Sequence, residues 1–192
     1  MKLITVILCI ALFSPFMIQA QSTTEVVTLE AVLTPSNEVP PLPATVQGSG
    51  TATVVINLKR DPNGDAASAF VDFIVNANFG SAETIIAMHI HRGDSSISGP
   101  VVLDSSFGDE MDVAAGSTSF ARRVEFVTSA DLEVVEEVIA NPSEFYLNVH
   151  TASAPGGIMR GQLTDADQTA RLDEIHELLR RVALRVGVGM ED

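Results

Sequence analysis

Apolar side chains recur at every second position, not every third or fourth, along most of this 192-residue chain. Val27, Leu29, Ala31 and Leu33 alternate with Thr28 and Glu30. The same beat returns in Ala52, Val54, Ile56 and Leu58, in Val71, Phe73, Val75 and Ala77, and in Ile86, Met88 and Ile90. Residues i and i+2 share one face of a strand, so each segment reads as a strand with one buried and one exposed face. Weaker segments at 101–103, 120–126, 145–151 and 158–163 bring the number to eight. Separated by Gly, Pro, Asn and Asp, they predict an all-β fold: an antiparallel Greek-key sandwich or barrel of about eight strands. Asp61-Pro62-Asn63-Gly64 predicts a tight hairpin between the second and third strands, with Pro at i+1 and Gly64 free to take positive φ. Asp61, Asn63 and Asp65 also share the oxygen spacing of a calcium loop, but Ala66-Ala67-Ser68-Ala69 follows where a bidentate glutamate belongs.

Two segments interrupt the alternation. Residues 35–43 contain Pro35, Pro40, Pro41 and Pro43, so they cannot supply a regular ladder and predict an extended, polyproline-like crossing. Thr128 and Ser129, followed by Asp131 and the run 132–140, predict one short capped helix. Asp109-Glu110-Met111-Asp112 reads as a solvated acidic loop. After Leu163 the period changes to 3.6, with Thr164 or Asp165 capping a helix to about Val186. Its stripe of Leu172, Ile175, Leu178, Leu179, Val182 and Val186 either packs back on the β domain or, through Leu172, Ile175, Leu179, Val182 and Val186, forms a homo-oligomer seam.

The first twenty residues have the form of a secretory signal. Met1-Lys2 is a short basic start, an apolar run follows, and Ala20 is the small residue before the cut. The organisation is then a signal at 1–20, a β domain at 21–164 and a helical tail at 165–192. Cleavage removes Lys2 and Cys9, shifting the net charge from −14 to −15 (10 basic residues against 25 acidic) and leaving no cysteine. Such a chain cannot assemble the basic surface needed for nucleic acid or an anionic membrane. Without disulfides its stability must come from its core or a metal.

The chemistry concentrates in three histidines. In His89-Ile90-His91 the two imidazoles share the strand face opposite Ile86, Met88 and Ile90. His150 lies in Tyr146-Leu147-Asn148-Val149-His150-Thr151, opposite Phe145, Leu147 and Val149. If those strands are neighbours, His89, His91 and His150 form a recurrent ligand set for one zinc or copper ion, with Asp94, Asp104 or water as the fourth ligand. The competing reading is a polar network of the histidines with Asn148 and Arg160. Among Ser, Thr and Gly no phosphate loop or catalytic triad context occurs.

These segments resemble the CHRD domain, a family named from the extracellular protein chordin and present in exported microbial proteins. The likeness rests on Asn37-Glu38-Val39-Pro40-Pro41 with Gly48-Ser49-Gly50-Thr51-Ala52, and on Met88-His89-Ile90-His91-Arg92-Gly93 with Gly99-Pro100-Val101-Val102. It continues through Phe145-Tyr146-Leu147-Asn148-Val149-His150-Thr151 and Pro155-Gly156-Gly157-Ile158-Met159-Arg160-Gly161-Gln162-Leu163, and spans about residues 28 to 164. It implies an extracellular or periplasmic β domain and no activity. The His-x-His strand is also similar to that of copper/zinc superoxide dismutase, but three domain histidines and His176 in the tail are too few for a bimetallic site. The expectation is an exported, non-enzymatic binding or structural module that meets an extracellular protein or surface ligand. The alternative is a mononuclear zinc or copper protein.

Overall fold

The computed structural model describes residues 20–167. The signal segment 1–19 and the tail helix, with its docking or self-association, lie outside the described residues. Ten strands and one helix follow in the order β1 (Thr23–Leu33), β2 (Gly48–Arg60), β3 (Ala66–Phe79), β4 (Glu83–Arg92), β5 (Val101–Asp104), β6 (Met111–Val113), β7 (Gly116–Phe126), α1 (Ser129–Ala140), β8 (Phe145–Thr151), β9 (Met159–Gln162) and β10 (Thr164–Asp165). One sheet runs β10-β1-β2-β3-β7 and the other β5-β4-β8-β9, with β6 on the edge of β4. Every pairing is antiparallel. The fold is a two-sheet sandwich and not a closed barrel.

The alternating residues make the core. Leu29, Ala31, Leu33, Val54, Ile56, Leu58, Val71, Phe73 and Val75 fill one inner face, opposed by Ile85, Met88, Ile90, Leu147, Val149 and Met159 from the other sheet. Burying a side chain of this kind contributes about 1.5–3 kcal/mol, and α1 adds Leu132, Val135 and Val138 against β3 and β5. Thr128 is the cap: its hydroxyl accepts from the Asp131 amide at 3.2 Å. The 61–64 hairpin forms as expected, with Gly64 at φ 94°. There Asp61 Oδ1 accepts from the amides of Asn63 and Asp65 at 2.8 and 3.0 Å, so the carboxylate closes the turn.

Four local expectations are corrected. A bulge between Ile85 and Ala87 shifts the parity of β4, so Ile85 enters the core in place of Ile86. Met111–Val113, read as acidic loop, pairs with residues 83–85 of β4. The proline segment opens with a 3₁₀ turn at Pro35–Asn37 and the Leu42 amide donates back to Pro35 O at 3.3 Å, so it is folded back and not simply extended. Thr164 and Asp165 form a two-residue strand against Glu30 and Leu29 of β1 where none was expected, while Asp165 caps the turn that follows as expected, its Oδ1 accepting from the Asp167 amide. No helix among the described residues is long and apolar enough to cross a membrane.

Candidate metal centre

The two histidine-bearing strands are neighbours. In the β5-β4-β8-β9 sheet, Asp104, His89, Asn148 and Arg160 stand in register as one cross-strand row. Beside it His91 faces Tyr146, which faces Gln162, and on the other side Ala87 faces His150. Because Met88, Ile90, Leu147 and Val149 point inward, this row lies on the outer face of the sheet. An outer face is normally solvated, yet His91, Asn148, His150 and Arg160 are all buried here. The cover is supplied by the 35–43 segment and the 93–100 loop.

Arg160 fastens that cover. Its guanidinium donates from Nε to Asn37 O at 2.6 Å, from Nη1 to Ile97 O at 2.7 Å and from Nη2 to Ser95 O at 3.0 Å. It stacks over Tyr146 at 4.1 Å. It therefore spends its donors on backbone carbonyls of two loops and hydrogen-bonds no acidic side chain.

The three imidazoles converge. Their ring centroids are 4.9–5.7 Å apart, and one nitrogen from each lies within 4.8 Å of the other two. His91 Nδ1 sits 3.0 Å from Gly99 O, and His150 Nδ1 sits 3.0 Å from Pro155 O. A carbonyl only accepts, so both rings carry their proton on Nδ1 and turn the Nε2 lone pair inward. His89 Nε2 is 3.8 Å from Asp104 Oδ1, which leaves Nδ1 as its inward atom. Six buried side-chain polar atoms lack a partner among the described residues, and five of them belong here: His89 Nδ1, His91 Nε2, His150 Nε2, Asn148 Oδ1 and Glu38 Oε1. Buried polar atoms are ordinarily paired, so these five are the open positions of the layer.

Electrostatics favour the neutral rings. Burial pushes His91 down to about 4, with the bond to Gly99 opposing and the charges of His150, His89 and Arg160 adding. Burial also lowers His89 against the pull of Asp104, and His150 against its bond to Pro155. Neutral imidazole is the form that binds metal.

Two glycines are needed for this packing. A Cβ on Gly99 would lie 1.6 Å from Arg92 O, and Gly157, at φ 124°, would place one 2.4 Å from the Asn148 amide nitrogen. The carboxylates named as fourth ligands are placed otherwise. Asp94 Oδ1 is engaged by the Ser96 amide and hydroxyl at 2.7 and 2.6 Å, while Asp104 stands behind His89 with Oδ1 bonded to the Ser106 amide.

Sequence reasoning missed Glu38 as a site residue. It is 6% exposed, with Oε2 3.4 Å from Asn148 Nδ2. Burial raises its carboxyl from 4.5 to about 7, against the opposing pull of Arg160 and Asn148. Between those values the folded chain keeps a proton that the unfolded chain has released, so this group makes stability fall as pH rises from about 4.5 to 7 and then level off. In metal-free protein the histidines act with the opposite sign, because the unfolded chain binds their protons first. The Glu38→Gln variant isolates the carboxyl. Its stability relative to the parent should rise by at most about 3 kcal/mol between pH 5 and pH 8, as read by urea unfolding. An equal difference at both pH values would refute the assignment.

Together these features define an antiparallel two-sheet domain with a buried histidine layer on the outside of one sheet. The chain belongs to the CHRD domain family, whose model matches residues 29–163 and so spans the whole cluster. CHRD domains occur in extracellular or exported proteins. Neither a curated protein nor a solved structure matches the chain.

Proposed function

We propose that this is an exported metal-binding module in which His89 Nδ1, His91 Nε2 and His150 Nε2 hold one zinc or copper ion. The observation that carries the reading is the convergence of three imidazoles, His91 and His150 buried and His89 half-buried, each with one unpartnered nitrogen while its other nitrogen faces a carbonyl or carboxylate. Three converging lone pairs repel one another unless a cation lies between them, and partners behind ligating histidines are the usual means of aiming them. An all-imidazole set without thiolate suits zinc and copper alike. With metal–nitrogen bonds near 2.0–2.1 Å the nitrogens would stand about 3.3 Å apart, a small side-chain adjustment for atoms already within 4.8 Å of one another. Export rests on the leader-like first twenty residues; the remainder carries no cysteine, so a metal takes the place of disulfides as a staple.

Untagged protein purified without chelator is expected to contain, or take up, one equivalent of zinc or copper. At free metal 100-fold above the dissociation constant, mass action adds about 2.7 kcal/mol. For a chain of this size that is a rise in Tm of roughly 5–10 °C. Protein that takes up no metal at micromolar concentration, with an unchanged Tm, would refute the reading.

A further inference from the structure

A cavity of about 630 Å³ lies beside the histidine layer, under the 35–47 segment. That volume is in the range of small-molecule sites. Val39, Leu42, Val46 and Ala154 give it apolar walls, Glu38 and Glu83 line it, and none of its lining residues is basic. Glu83 is held by the hydroxyls of Ser81 and Ser153. Glu38 is different: one oxygen meets Asn148 and the other, Oε1, is buried without a partner. The nearest cation, Arg160, commits its guanidinium to three carbonyls. Once its proton is lost, above about pH 7, such a desolvated carboxylate with one idle oxygen and no hydrogen-bonded cation is costly unless something cationic completes it.

We infer that this cavity binds a primary ammonium group carried on a short apolar body, with the ammonium on Glu38 Oε1 and the body against Val39, Leu42 and Val46. A single free oxygen suits a point-charge donor; a guanidinium fork requires two. A quaternary ammonium has no N–H to give. A hard divalent ion would require several oxygens, and the cavity offers one idle carboxylate atom. The inference is independent of the metal reading, since it uses none of the three ligand nitrogens.

The groups around Glu38 are Arg160 from β9, Glu83 across the cavity, and His89, His91 and His150 on the sheet beneath. Burial favours the neutral histidines and an alkylammonium keeps its proton well above pH 8, so the change followed between pH 6 and 8 is the loss of the Glu38 proton near 7. Binding should therefore strengthen across that interval.

Calorimetric titration of the intact protein with n-butylamine, Nα-acetyl-lysine methylamide, butan-1-ol and tetramethylammonium tests this. Both amines should bind at pH 8, and the alcohol and the quaternary ion at least about tenfold more weakly. A tighter lysine derivative identifies a polypeptide side chain as the source, and a tighter butylamine identifies a free amine. Glu38→Gln should weaken amine binding at least about tenfold. Equal affinity for butylamine and butan-1-ol in the parent, equal amine affinity in Glu38→Gln, or no amine binding below about 10 mM would overturn the inference. The alcohol comparison needs no variant, so it holds even if Glu38→Gln fails to fold.

Discussion

Replacing His91 by alanine is expected to lower zinc affinity by more than about 100-fold while leaving a folded sandwich. Loss of a partner behind a ligand already costs 10–100-fold, and loss of the ligand itself must exceed that. His91 is the best seated of the three rings: it stacks on Tyr146 at 4.9 Å with an interplanar angle of 8°, and its Nδ1 is fixed by Gly99. The core residues beneath it, Met88 and Ile90, point the other way, so the substitution opens the outer layer and spares the hydrophobic interior. A graded partner is Asp104→Asn. Asp104 stands 3.8 Å behind His89 and touches no other ring, so its neutral isostere should weaken zinc binding by roughly tenfold or less. Competition against a chromophoric chelator measures both. If His91→Ala binds zinc as tightly as the parent, the ligand set is wrong; if Asp104→Asn is the more damaging, Asp104 is itself a ligand.

The legible part of this structure was what local periodicity encodes. β1, β2 and β3 were readable because each has one face in the core and one in water, and the alternation in Val54-Val55-Ile56-Asn57-Leu58 records that directly. His89 and His91 were readable as a same-face pair for the same reason. Their meeting with His150 was not local: it needed β4 and β8 to be neighbours, which the sequence posed only as a condition. The parity of β4 was misread because the bulge at Ile86 inserts one apolar residue among others and leaves no compositional trace. β6 is three residues long, too short to show a period. Glu38 was invisible as a site residue for a different reason. A lone glutamate in a proline-rich segment has every mark of a solvated loop, and a residue more than a hundred positions away helps to hold that loop down.

That residue is Arg160, and its replacement by methionine should be the most destabilising change in the polar layer, costing about 3–5 kcal/mol. Methionine fills much of the aliphatic volume, so the loss is mainly electrostatic. Arg160 is 2% exposed, and three carbonyls, of Asn37, Ser95 and Ile97, lose their donor at once. Each stranded buried acceptor costs about 1–3 kcal/mol, reduced where a freed loop can turn toward water. At 2–4 °C per kcal/mol the expected fall in Tm is roughly 6–20 °C. Lysine keeps the charge but not the planar fork, reaches fewer of the three carbonyls, and should fall between parent and methionine. The second effect separates a clamp from an ordinary buried residue. Ile97 and Ser95 flank the turn that delivers Gly99 O to His91, so releasing them should also loosen the ligand and lower zinc affinity by about 10–100-fold in protein that is still folded at low temperature. Amide exchange should quicken in 35–38 and 95–99 before it quickens in β2 or β3. A methionine variant within about 1 kcal/mol of the parent would show that the two loops are held by something else.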